Sequence, residues 1–318
     1  MIPEQPGKDE IIETAKRIRP YIHRTPILTS EAINSISGVQ VFFKCENFQK
    51  AGAFKARGAI NAVFSLSADE LLKGVATHSS GNHAAALSLA AKYRGIPAHI
   101  VMPINSSKVK IAAVETYGGK ITFCEPTLAA REETLARVIQ EVKAIEIHPY
   151  NNLKIIAGQA TSALELIQDA PMLDVIIAPV GGGGLLSGTA LSTLYFSHET
   201  HVIAGEPAGA NDAFLSFHQK KLIPSINPVT IADGLRTSLG SITFPIILSL
   251  VSDILLADET EIIEAMSLVW ERMKIIIEPS SAVPLAILLK NKQRFKGQKV
   301  GIILSGGNVD LSSLPWII

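Results

Sequence analysis

Lys55 stands between Phe54 and Ala56 in the run Asn47-Phe-Gln-Lys-Ala-Gly-Ala-Phe-Lys-Ala-Arg-Gly58, just after a glycine-containing loop and at the start of a helical pattern. Removing such a lysine from water disfavours the ammonium, lowers its pKa and makes the amine a usable nucleophile or base. Taken alone, the run also describes a surface lysine on an amphipathic helix, and that ordinary reading is the commoner one. Thr77-His-Ser-Ser-Gly-Asn-His83 lies where a strand pattern hands over to a helix. Backbone N–H groups at such a start suit a carboxylate, and Ser79, Asn82 and His83 add donors; a plain serine cap is the alternative. Pro179-Val-Gly-Gly-Gly-Gly-Leu-Leu-Ser-Gly188 follows a strongly apolar strand pattern. Its glycines, 181–184, let the backbone wrap a phosphate at a helix N-terminus. The spacing fits neither G-x-G-x-x-G nor a P-loop, so a dinucleotide or nucleoside triphosphate is disfavoured there. Ser305-Gly-Gly-Asn308 ends another strand pattern. Ligands of open α/β sheets bind beyond the carboxyl ends of strands, and Ser305 could hydrogen-bond a ring nitrogen there.

Those segments need a scaffold that gathers strand ends. β-Branched runs at Val41–Lys44, Val75–Thr77, His99–Met102, Lys120–Phe123, Val175–Pro179, Val202–Gly205, Ile254–Ala257 and Val300–Leu304 alternate with helical patterns. The helical patterns include His83–Arg94, Lys108–Tyr117, Leu128–Lys143, Gln159–Gln168, Leu185–Phe196, Glu261–Met273 and Val283–Lys290. The alternation predicts an α/β fold with mostly parallel sheet, its buried strands continuously apolar. The Pro-rich stretch Leu222–Pro228 reads as a surface loop. At 318 residues the chain exceeds one ordinary core, which favours two lobes. A four-strand unit over residues 74–149 reads as a small lobe inserted in a larger one made of 1–73 and 150–318.

Composition narrows the class. Apolar residues are 47% and charged residues 18%, the balance of a folded globular chain. Lysine plus arginine equals aspartate plus glutamate at 29 each, giving no global attraction to nucleic acid or to an anionic membrane. Cys45 and Cys124 are too few for a disulfide framework. No apolar run reaches the ~18 residues of a membrane helix, and the N-terminal residues do not resemble a signal peptide. A cytoplasmic protein is expected. No H-E-x-x-H, C-x-x-C or G-x-S-x-G occurs, and His198 with His201 lacks a further nearby ligand.

In this order and spacing the segments resemble the fold-type II pyridoxal-phosphate enzymes, in the branch of serine racemase and the biodegradative threonine/serine dehydratases. The resemblance runs from Ile11 to Asp310 and includes F-F-K-C-E, F-K-x-R-G around Lys55, T-H-S-S-G-N-H, V-G-G-G-G, T-I-A-D-G (230–234), L-V-W-E-R-M-K (268–274) and L-S-G-G-N-V-D (304–310). It implies two open, twisted, mostly parallel sheets covered by helices, a mobile small domain and a homodimer. It implies that Lys55 carries pyridoxal 5'-phosphate, that Phe54 packs on its ring and that Asn82 contacts its 3-hydroxyl. Gly181, Gly182, Gly183, Gly184 and Leu185 would hold the phosphate, and Ser305 would face the pyridine nitrogen. Ser79, Asn82 and His83 would grip a small amino-acid substrate, with Arg131 joining on closure. Racemisation needs proton exchange on both faces of the α-carbon, assigned by the resemblance to Lys55 and Ser80, whereas β-elimination needs only Lys55 and an acid for the leaving hydroxyl. The implied activity is serine racemisation with elimination to pyruvate and ammonia. The alternatives are a dehydratase of threonine, serine or hydroxyaspartate, and a non-catalytic binder of the cofactor or of amino acids.

The loop Glu206-Pro-Ala-Gly-Ala-Asn-Asp212 resembles the family's cation loop, with Glu206, the Ala210 carbonyl and Asp212 holding Mg2+ (or Ca2+ or Mn2+). Tyr117, Lys274 and Asn308 match the family's nucleotide-activation positions, while Glu31, Ala51, Ala53 and Ala85 depart from them and put ATP activation in doubt. Tyr150 stands where some relatives place Asn beside the cofactor.

Overall fold

The computed structural model describes residues 4–79 and 81–316. Two sheets organise the chain. The strands, in chain order, are β1 (Ile27–Leu28), β2 (Gln40–Cys45), β3 (Val75–His78), β4 (Ala98–Pro103), β5 (Lys120–Cys124), β6 (Ile145–Glu146), β7 (Val175–Pro179), β8 (His201–Pro207), β9 (Asp253–Ala257) and β10 (Lys299–Leu304). The larger sheet runs β1-β2-β10-β7-β8-β9 and the smaller β5-β4-β3-β6. Every pairing is parallel except β1 with β2. The expected α/β architecture, two mostly parallel sheets clothed in helices, is therefore what the chain adopts.

Burial follows the pattern. β7 is buried at every position and β10 at all but its first, as strands covered on both faces must be. The helices Leu153–Asp169 and Gly184–Phe196 pack on one side of the larger sheet and on each other, Gly188 lying against the backbone of Ala160. Glu259–Met273 and Pro279–Lys290 close the other side, joining Val283, Leu285 and Met266 to Val41, Ile177 and Ile302 in one core. Around the smaller sheet, Ile60, Leu87, Ile100 and Met102 form a separate core.

Several boundaries differ from the sequence reading. Helix Leu153–Asp169 begins six residues before the expected Gln159 because Asn152 caps it, its side chain accepting from Lys154 and Ile155. β1 and β6 are two-residue strands, too short for alternation to register. Residues 222–228 carry no regular structure and are mostly exposed, as expected of the proline-rich loop.

The end of β10 is stitched to the Lys55 loop. Phe54 N–H donates to the Ser305 carbonyl at 3.0 Å, and Ala53 bridges Gly306. Behind that loop lies a buried ionic cluster. Arg57 meets Glu46 at 2.7 Å and Glu165 at 2.8 Å, while Lys44 meets Glu165 at 2.6 Å. Thr25 Oγ1 donates to Glu46 at 2.6 Å. Two cations against two anions leave no net charge to desolvate, which is how such a set survives inside a protein.

Candidate active site

Lys55 opens the helix Lys55–Phe64. Its Nζ donates to the Pro149 carbonyl at 2.9 Å and lies 5.1 Å from the centroid of the Phe54 ring. Loss of hydration pulls its pKa down to about 8, against a smaller upward pull from Glu278. An amine so placed is half neutral near pH 8, and the neutral form is the state a nucleophile or base requires.

The glycines 181–184 follow β7 and lead into Gly184–Phe196. Their lack of side chains is required by what surrounds them. A Cβ at Gly181 would sit 2.9 Å from the Leu235 Cα, and one at Gly182 2.3 Å from the Tyr150 ring. Gly183 has φ +88°, and its Cβ would meet Thr243 at 2.8 Å. Thr243 Oγ1 fixes the Gly182 carbonyl at 2.8 Å. The backbone is thus held open at a helix N-terminus whose first N–H groups have no intrahelical partner, the setting that takes a phosphate. Leu185 is buried in the first turn.

Ser305 is 2% exposed at the end of β10, beside β7. Its Oγ lies 3.0 Å from Ser281 Oγ, and Ser281 exchanges hydrogen bonds of 2.7 Å with the Gly306 carbonyl and N–H. Asn82 begins the helix Asn82–Arg94; its Nδ2 donates to Glu278 at 2.8 and 3.1 Å, and its Oδ1 accepts from Asn308 at 2.9 Å. Ser79 Oγ accepts from Gly81 N–H at 3.3 Å. His83 is buried, with Nε2 against the Ile147 carbonyl at 3.0 Å and Nδ1 unpartnered. Since a carbonyl only accepts, Nε2 carries the proton and the imidazole donor is already committed. Burial, then Lys55, hold this ring down to about 3, so it stays neutral. Arg131 lies in the helix Leu128–Val142 beside His78, with its Nε buried and unpartnered. Ser80 lies outside the described residues.

Lys55, the glycine cradle, Ser305 and Asn82 are thus gathered around the ends of β7, β10 and β3, and their donors suit a phosphate-bearing aldehyde. Glu278 belongs with them and escaped the sequence reading. It is 3% exposed, and burial, reinforced by Asp233, lifts its pKa to about 7 despite the Asn82 hydrogen bond. The Ile277-Glu-Pro-Ser-Ser281 run carried the signal: an acid beside proline at a helix start, flanked by apolar residues.

Glu206 and Asp212 form a second buried pair, 1% and 4% exposed. Glu206 accepts from the Ala213 and Phe214 N–H groups at 2.8 and 2.7 Å. Neither Asp212 oxygen has a partner of good geometry, although Ser225 and the Leu239 N–H lie beside it. Burial lifts Glu206 to about 9 and Asp212 to about 6. With Ala210 buried on the same loop, two desolvated carboxylates lacking a counter-charge fit a hard cation. No group of three or more His, Cys, Asp or Glu placed to hold a metal ion occurs among the described residues.

The three nucleotide positions have separate surroundings. Tyr117 lines a cavity of about 310 Å³ with Ser88, Lys92 and Thr116. Lys274 is exposed at the end of Glu259–Met273. Asn308 is engaged with Asn82 and, at 2.7 Å, with the Ala51 carbonyl. No described helix is long and apolar enough to cross a membrane.

Comparison with known proteins follows the same lines. A family model described as pyridoxal-phosphate dependent enzyme matches residues 18–306. The chain is 50% identical to a beta-hydroxyaspartate dehydratase of Paracoccus denitrificans, over 98% of this chain and 99% of that one. It is 52% identical to a serine racemase of Arabidopsis thaliana, over 96% and 93% of the two chains. The crystal structure of serine racemase from Dictyostelium discoideum superposes with a TM-score of 0.91 at 50% identity, covering 96% of this chain and 99% of that one.

Proposed function

This chain belongs to the pyridoxal-phosphate dependent enzyme family, and from that premise we propose that it interconverts L- and D-serine and also eliminates water from serine, the released enamine then taking up water to give pyruvate and ammonia. The observation that carries the reading is the partly dehydrated Lys55 amine, lowered to about 8, beside a glycine cradle no side chain could enter.

Pyridoxal phosphate, when bound, supplies an electron sink that acidifies the α-C–H of an attached amino acid. The backbone of Gly181–Gly184 and Leu185 would hold its phosphate, Phe54 would pack on its ring, and Asn82 would reach its 3-hydroxyl. Ser305 would offer its ring nitrogen a hydroxyl rather than a carboxylate, which would leave that nitrogen largely unprotonated. The Ser79 hydroxyl, Asn82 and the backbone N–H groups at the start of Asn82–Arg94 grip the substrate carboxylate, His83 contributing main chain. Arg131 adds its guanidinium as the small domain, 74–149, moves over the body formed by 1–73 and 150–318.

Lys55 Nζ takes and returns the α-proton on one face. The Ser80 hydroxyl serves the other, an assignment made on its place in Thr77–His83. With both faces served the α-carbon inverts. With Lys55 alone, the amine takes the α-proton and the β-hydroxyl, taking one proton from an acid of the site, leaves as water, which is elimination with no net change in protons.

Glu206, Asp212 and the Ala210 carbonyl would hold a divalent cation, Mg2+ or else Ca2+ or Mn2+, whose charge would offset the two buried carboxylates. The resemblance to serine racemases would make the enzyme a cytoplasmic homodimer, to be read by sedimentation and by cell fractionation. Activation by ATP would rest on Tyr117, Lys274 and Asn308 against the departures at Glu31, Ala51, Ala53 and Ala85, and nucleotide titration of the activity decides it.

The 50% identity to a beta-hydroxyaspartate dehydratase favours a second reading, dehydration without racemisation. Incubation with L-serine, D-serine and L-threonine, reading enantiomer and keto acid together, separates the two. Ser80→Ala is expected to abolish D-serine formation while keeping pyruvate formation; equal loss of both overturns the two-face assignment. A cofactor absorbance indifferent to serine would indicate a binder rather than an enzyme.

A further inference from the structure

Residues 147–152 carry the chain from β6 in the smaller sheet to the helix Leu153–Asp169 beside the larger one. This crossing touches His83, Lys55 and the glycine cradle. The Ile147 carbonyl meets His83 Nε2 at 3.0 Å, and the Pro149 carbonyl takes the Lys55 amine at 2.9 Å. The Tyr150 ring fills the space a side chain would need at Gly182. Asn151 Oδ1 accepts from Ile242 N–H at 2.8 Å, tying the crossing to the segment that supports the cradle.

A single side chain sets the shape of this turn. His148 Nδ1 accepts the Asn151 N–H at 2.9 Å and lies 3.4 Å from the Tyr150 N–H. Backbone N–H groups only donate, so this nitrogen must be unprotonated and the ring proton must sit on Nε2. The ring meets Tyr150 edge-on at 4.6 Å and His78 edge-on at 6.4 Å between centroids. Burial, followed by repulsion from His78 and Lys55, pulls the imidazole down to about 4, so it is neutral across the neutral range. A role as base through Nδ1 is closed by the Asn151 bond, and the structure shows that nitrogen acting as a brace for the turn.

We propose that His148 is a positioning residue: through Nδ1 it folds the turn 149–151 so that the Pro149 carbonyl holds the Lys55 amine and Tyr150 backs the glycine cradle. The inference rests on Lys55 as the cofactor lysine. Lys55→Ala is therefore the control, and cofactor absorbance unchanged in that variant would sink the cofactor reading regardless of His148.

The test uses His148→Asn, His148→Gln and His148→Leu, each measured for cofactor affinity, for the pH titration of cofactor absorbance and for thermal unfolding. The Asn carbonyl can stand where Nδ1 stands; the Gln carbonyl reaches one bond too far and Leu has none. His148→Asn should hold cofactor affinity within about threefold, while Gln and Leu lose about tenfold or more, the effect of one lost buried hydrogen bond. The absorbance titration should shift in Gln and Leu but not in Asn. Affinity and titration in His148→Leu equal to wild type, or Asn and Gln behaving alike, would overturn the proposal. A measurement without substitution stands beside it: in protein labelled with 15N-histidine, Nδ1 of His148 should read as the unprotonated nitrogen, and a proton found there refutes the brace even if the variants fail to fold.

Discussion

Placing one methyl group in the cradle gives a sharp perturbation. In Gly182→Ala the new Cβ would lie 2.3 Å from Cγ and Cδ1 of Tyr150 and 2.4 Å from Cε1. Carbon atoms in contact prefer about 3.5–4.0 Å, so ring and backbone must part by more than about 1 Å. Neither yields easily. The Gly182 carbonyl is held by Thr243, and the Tyr150 ring is backed by His148 at 4.6 Å. Overpacking of this kind costs about 1–3 kcal/mol. If the strain falls on the N–H groups that cup the phosphate, the cofactor dissociation constant rises by about tenfold to a hundredfold. Apoprotein titrated with pyridoxal phosphate and followed by absorbance gives that constant, and a thermal melt reports the fold separately. Gly7→Ala is the matched control, since its φ is −80° and its Cβ meets nothing within 4 Å. Wild-type affinity in Gly182→Ala, or an equal loss in Gly7→Ala, would refute the assignment of the phosphate site.

Lys55 sets a pH dependence on the apoprotein. Its folded-state pKa, about 8, is below the usual 10.5, so between those values its unfolded form binds more protons and the contribution of Lys55 to stability rises with pH. Denaturant titrations from pH 8 to 10.5 should show wild type gaining stability relative to Lys55→Met as the pH rises, and a difference that stays constant would refute the lowered pKa. Arg57→Met leaves Glu46 and Glu165 with only Lys44 to balance them; breaking such a set costs about 3–5 kcal/mol, to be read by urea unfolding, and a loss below about 1 kcal/mol would mean water enters the cluster. Chelation should lower the melting temperature by removing the partner of Glu206 and Asp212. A cation at a hundred times its dissociation constant contributes about 2.7 kcal/mol, and Asp212→Asn should make the melt insensitive to chelator.

The parts of the site legible in the sequence share a physical feature: each is a strand end followed by residues with special backbone demands. The cradle at 181–184 follows the apolar strand β7, and Ser305 follows β10. Lys55 was legible because its loop and following helix are contiguous. What escaped depends on contacts distant in sequence. Glu278 meets Asn82 across 196 residues, and Arg57 meets Glu165 across 108. His148 reads locally as one more polar residue in a connector; its importance comes from Lys55, 94 residues before Pro149. His83 shows the opposite limit: its motif suggested a gripping imidazole, while the ring turns inward to the Ile147 carbonyl.

The account depends most on which amine carries the cofactor. Borohydride reduction of the holoenzyme, followed by digestion and mass mapping, fixes the cofactor to the lysine it is joined to. The predicted result is a single modified peptide bearing the adduct on Lys55. An unmodified Lys55, with the adduct on another lysine, would contradict the account.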